Sequence, residues 1–152
     1  MVFCDRGYLK QVGAAYRLAL AREALFSDLA KRPWSGDRCA KLRVLRRLES
    51  ETIALLGSIL DSADVADIVS RSATASVRSQ ARALAGRRWI EIIEKLCVEL
   101  AMRVAQIEHL ERLAPAGEIQ QLARVTAHHI ALQMFMRLEL AGRGRESIQP
   151  AL

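Results

Sequence analysis

LDSADVADIVSRSATAS, residues 60–76, mixes small and polar side chains without a sustained hydrophobic period, and it lies between two stretches that read as long helices. Its length decides the topology. The sixteen residues of 61–76 reach roughly 50 Å when extended, whereas a 26-residue helix is only about 39 Å long. Two antiparallel neighbours would need just a few connecting residues. A chain that must return along the whole length of a helix needs this many, with room for one short helical turn. The expected fold is therefore all-α: a four-helix bundle with a long crossover between helices 2 and 3.

Outward from this segment, the punctuation of the chain sets the helices. A first helix is expected over about 8–31, closed by the Pro- and Gly-bearing run KRPWSGD, and a second over about 35–60. A third is expected over about 77–113, stopping at APAG, and a fourth over about 118–141. Gly142 reads as a C-cap glycine. Residues 1–142 then form one helical domain, and 143–152 a C-terminal tail.

Composition fits this outline. Of 152 residues, 51% are hydrophobic, 26% charged and only 5% aromatic, which suits a globular helical chain better than a β-sandwich. There is no signal-peptide pattern and no apolar run long enough to span a bilayer, so a soluble, cytoplasmic protein without a membrane partner is expected. Cys4, Cys39 and Cys97 are odd in number and show no metal or disulfide spacing, which suggests reduced thiols. The net charge of +6 includes two arginine clusters, Arg43, Arg46 and Arg47, and Arg78, Arg82, Arg87 and Arg88. They read first as solvated faces and salt bridges, because no nucleic-acid motif or aromatic stacking set accompanies them. A nucleic-acid-binding bundle stays open as a third class of function.

The polar residues within the apolar stripes point to chemistry. In helix 1 the stripe Leu9, Val12, Tyr16, Ala19, Leu20, Phe26 and Ala30 has Glu23 at its middle. In helix 2 the stripe Leu42, Leu45, Thr52, Ile53, Leu56 and Leu60 has Glu49, while Glu51 points away. Glu99 sits at the edge of the helix 3 stripe, one turn before Arg103. In helix 4, His128 and His129 flank the stripe from opposite sides, and Glu139 is a further inward carboxylate. A buried carboxylate must be protonated, paired, or bound to a cation. Arg103, a histidine or a metal ion is each a candidate counter-charge.

The long crossover together with inward Glu and His residues resembles the ferritin-like family of carboxylate-bridged di-metal bundles, in which each half supplies a Glu from one helix and a Glu-x-x-His pair from the next. Glu23 and Glu49 lie 26 residues apart, as do Glu99 and Val125, which places His128 at the second pair's histidine. The sequence departs from the pattern in having Thr52 where the first histidine falls and Val125 where the second pair's Glu falls. The tripeptide Ile-Ala-Leu at 53–55 and again at 130–132 offers another register, aligning Thr52 with His129. The resemblance implies a degenerate site of Glu23, Glu49, Glu99 and His128. One iron or manganese ion suits such donors, with redox or hydrolytic chemistry if a coordination position stays open. Two alternatives remain at this point: a metal-free polar network of Glu23, Glu49, Arg103 and His128, or an inward polar cluster that binds a small organic ligand.

No Gly-rich phosphate loop, GxSxG or HExxH occurs. A rival to the enzyme class comes from helix 1, where Leu18, Leu25 and Leu29 form a second apolar row. A helix apolar on two faces needs a second partner, so the row predicts a homodimer and an interaction or assembly role.

Overall fold

The computed structural model describes residues 6–72, 82–84 and 86–152, and among them there is no strand. Among the described residues five helices follow in order: α1 (Arg6–Ala30), α2 (Gly36–Gly57), α3 (Ser62–Ser72), α4 (Trp89–Leu113) and α5 (Ile119–Leu140), with a 3-10 turn at Gln149–Ala151. None of them is long and apolar enough to cross a membrane.

Local chemistry sets their ends. The Ser35 hydroxyl accepts from the Arg38 amide at 3.3 Å and caps α2, with Asp37 in the first turn against the positive end of the helix dipole. Asp61 does the same for α3, its Oδ1 accepting from the Asp64 amide at 2.8 Å. Ala114 leaves α4 in extended geometry just before Pro115, as the proline ring requires of its predecessor. At the end of α5, Gly142 takes φ +73°; its amide donates to the Glu139 carbonyl at 3.2 Å and the Arg143 amide to Leu138 at 2.9 Å, a Schellman closure.

Two core clusters order the helices in space. One gathers Tyr8 and Val12 from the start of α1, Leu56 from the end of α2, Ile107 and Leu110 from the end of α4, and Leu122 and Val125 from the start of α5. The other gathers Phe26 and Leu29, Leu42 and Leu45, Trp89 and Ile92, and Phe135 and Met136, the opposite ends of the same four helices. α1 and α5 therefore run one way, and α2 and α4 the other. α1 packs chiefly on α2 and α4 on α5, α2 also meets α5, and α1 meets α4 more sparsely. Leu60 and Ile68 belong to the first cluster and Leu84 to the second, so the chain passes from one end to the other between α2 and α4.

Three expectations need correction. The segment after α2 carries an eleven-residue helix rather than a single turn, and Ile68 of α3 is buried against Gly13, where a Cβ would lie 3.5 Å from the Ile68 Cδ1. The helix expected over 77–113 does not run continuously: Gly86 has φ +75°, Arg87 and Arg88 are non-helical, and α4 begins at Trp89. The left-handed glycine ends any preceding turn, while residues 77–81, including Arg78, lie outside the described residues. Finally, 143–152, expected as a C-terminal tail, packs back on the helices. Ser147 is fully buried, Ile148 and Ala151 pack on the second cluster, and Arg47 donates to the Ala151 carbonyl at 3.2 Å.

Candidate functional site

Glu49 is where the apolar stripe of α2 placed it, fully buried at the middle of the packed helices. Its Oε1 accepts from Arg22 Nη1 at 3.0 Å, and Arg22 is itself buried on α1. Its Oε2 has no hydrogen-bond partner among the described residues. Burial pushes the Glu49 carboxyl above the usual range, against the pull of the Arg22 guanidinium. The counter-charge of Glu49 is thus Arg22, a residue the sequence reading passed over. Its position carried the signal, three residues after Ala19 and four before Phe26, both core residues.

The other expected metal ligands go elsewhere. Glu23 accepts from Arg46 Nε at 2.8 Å at a partly exposed position. His128 places Nδ1 3.1 Å from the Thr52 hydroxyl and Nε2 3.4 Å from Glu51 Oε2. Glu51, expected to point away, therefore reaches across to α5, and burial lowers the His128 pKa in spite of it. Glu99 is half-buried on α4 beside Arg103, in a narrow cleft that also touches Arg22. Glu23, Glu49, Glu99 and His128 are not brought together, and among the described residues no three His, Cys, Asp or Glu side chains converge on a point that would hold a metal. With Oε1 of Glu49 on Arg22, Glu23 on Arg46 and His128 on Thr52, this donor set does not fit an iron or manganese ion.

A different feature lies between α1 and α4, the neighbouring long helices with the sparsest contact. A cavity of about 260 Å³ opens there, walled on the α1 side by Gln11, Ala14, Ala15 and Leu18. Arg103, Gln106, Ile107 and Leu110 form the α4 side, and His129 of α5 completes it. The two alanines account for the gap: side chains this short leave the space across from Gln106 and Ile107 unfilled. Past Leu18 and Arg103 the groove narrows into the cleft of Arg22, Leu25, Leu96 and Glu99.

The polar groups of the groove are incompletely satisfied. Arg103 donates from Nη1 to Gln106 Oε1 at a long 3.4 Å and makes no ion pair among the described residues. Burial and then the neighbouring Arg22 lower its pKa, with Glu99 opposing. His129 is buried, with Nδ1 2.9 Å from the Val125 carbonyl. A carbonyl can only accept, so Nδ1 carries the proton and Nε2 keeps a lone pair without a partner among the described residues. Burial first, and the Arg22 charge second, lower its pKa to about 4, and the ring is neutral at pH 7.

A buried polar cluster at the other end of the bundle is the opposite case. Glu139 accepts from Lys41 Nζ at 2.6 Å, the Ser147 hydroxyl at 2.7 Å and Trp89 Nε1 at 3.1 Å. Burial alone would raise the Glu139 pKa, but these three donors together hold it below the usual range. Lys41 also pairs with the exposed Asp37 at 3.0 Å, and the cluster ties α2, α4, α5 and the C-terminal segment together.

The leucine row of α1 is divided. Leu25 and Leu29 are buried in the chain's own core, and Leu18 borders the groove. Comparison with protein-family models, with curated proteins and with solved structures found no match for this chain.

Proposed function

We propose that the chain is a binding protein built as a ferritin-like four-helix bundle with a long crossover, in which the groove between α1 and α4 admits a small organic molecule. The shared direction of α2 and α4 supports the crossover reading, since a chain leaving α2 at one end must travel back before starting α4. One observation carries the functional reading: an apolar-walled cavity of about 260 Å³ is bordered by Arg103 and His129, whose hydrogen-bonding capacity the described residues leave partly unused. Convergent polar groups on an otherwise apolar hollow are the usual form of a small-ligand site, and this volume lies just below the usual range of about 300 to 1,000 Å³, which restricts the ligand to a small one. A metal-dependent oxidoreductase is less favoured because its donors are committed to other partners. Assembly through Leu18, Leu25 and Leu29 is less favoured because two of the three are core residues.

The test is a fragment screen observed through protein amide resonances. Hits should shift Ala14, Gln106 and His129 together, and Ala14→Leu, which grows a side chain over an exposed rim position, should abolish those shifts without lowering the melting temperature. Hits that scatter over the surface, or that survive Ala14→Leu unchanged, would rule the groove out.

A further inference from the structure

The groove is not chemically uniform along its length. α1 and α4 run antiparallel, so Leu18 faces Arg103 at one end while Gln11 faces Leu110 at the other. Between them the walls are Ala14, Ala15 and Ile107, without a charge. The charged end is positive: the Arg103 guanidinium has no ion pair among the described residues, and Arg22 lies beyond it in the narrow cleft with one guanidinium nitrogen committed to Glu49. Glu99, the carboxylate nearest to Arg103 on α4, borders the cleft and not the groove. The groove face of Arg103 is thus open to an anion from outside.

We infer that the groove takes a carboxylate with an unbranched apolar tail of about eight carbons, its head on the Arg103 guanidinium and its tail running toward Leu110. This rests on the reading of the groove as a binding site and adds the class and orientation of the ligand. A planar fork of N–H donors matches a carboxylate in two parallel hydrogen bonds, which neither an alcohol nor an amine can return. The tail length follows from the helix: the seven residues from Arg103 to Leu110 span roughly 10 Å at 1.5 Å each. Gln106 gives up only a long hydrogen bond when Arg103 turns to a ligand.

The experiment is calorimetric titration of the full chain with octanoate, octanol and octylamine, three probes with one tail and three heads. Octanoate should bind at least tenfold more tightly than octanol, and octylamine most weakly. Arg103→Met should weaken octanoate by about ten- to a hundredfold and leave octanol unchanged, the range expected for a hydrogen bond to a charged group. Octanol binding as tightly as octanoate, with both lost in Ala14→Leu, would overturn the carboxylate while leaving the groove. No binding of any probe would overturn the inference and, together with a fragment screen without groove hits, the binding-site reading itself. The comparison of heads on the unaltered protein decides the matter even if Arg103→Met folds poorly.

Discussion

Arg22 and Glu49 show how a buried pair can be both necessary and replaceable. Taking two charges out of water is expensive, and their attraction offsets that cost only while both are present. Arg22→Met should therefore cost about 3 to 5 kcal/mol by leaving the fully buried Glu49 carboxylate alone, unless it takes up a proton. Combining Arg22→Met with Glu49→Leu should restore stability to within about 1 kcal/mol of the unaltered chain. Urea unfolding of the two single variants and the double closes the cycle; a double variant as unstable as the worse single one would show that the pair is not an isolated couple. Periodicity made the burial of Glu49 legible, because a side chain's angle around a helix depends only on its spacing from core neighbours. It could not reveal the partner, since an Arg on the next helix lines up with Glu49 only after the two helices have chosen their relative offset. The assignment of Thr52 and Glu51 to His128 was hidden for the same reason.

Helix boundaries were more legible than helix partners. Caps act within a few residues, so the end of α1 before KRPWSGD, the Ser35 cap and the Gly142 closure could all be read locally. The break at Gly86 was missed because a lone glycine between good helix formers can be tolerated inside a helix, and only its left-handed φ shows that it is not. The leucine row misled for a physical reason as well: an apolar stripe demands a partner but does not say whether that partner is another chain. Here α4 answers part of the demand, since Leu25 meets the same cleft as Leu96. At Gly142 an added Cβ meets open space, and the only penalty is the left-handed backbone. Gly142→Ala should cost about 1 kcal/mol and Gly142→Asn less, read as a shift in the urea midpoint at constant slope. Amide exchange across 143–152 should speed up in the alanine variant, because the same closure leads into the segment that buries Ser147. Equal midpoints for the alanine variant and the unaltered chain would show that the cap is not held in that geometry.

The buried ionisable groups of the whole molecule pull its pH response in opposite directions. His129 has its pKa lowered from 6.5 to about 4, so between those values the unfolded chain binds a proton that the folded chain refuses, and stability falls as pH falls. Glu139, also lowered, contributes stability above the ordinary carboxylate value that is lost as pH drops through its depressed value. Glu49 acts the other way: its raised pKa makes the folded state the better proton binder, and protonation on acidification relieves a buried charge. Glu49 and His129 therefore partly cancel in the mildly acid range, leaving His129 as the larger loss if Glu49 stays paired with Arg22. The full His129 contribution is on the order of 3 kcal/mol across that window. His129→Gln, which keeps a polar side chain next to the Val125 carbonyl, should flatten the fall in melting temperature between pH 6.5 and 4 while leaving the steeper loss at lower pH, where Glu139 gives up its charge to the solvent proton and releases Lys41. A variant whose melting temperature falls in parallel with that of the unaltered chain over pH 6.5 to 4 would mean that the imidazole takes up its proton in the fold as readily as in the unfolded chain. In that case the groove would gain a second cation beside Arg103 only below about pH 6.5, and octanoate affinity should rise on mild acidification.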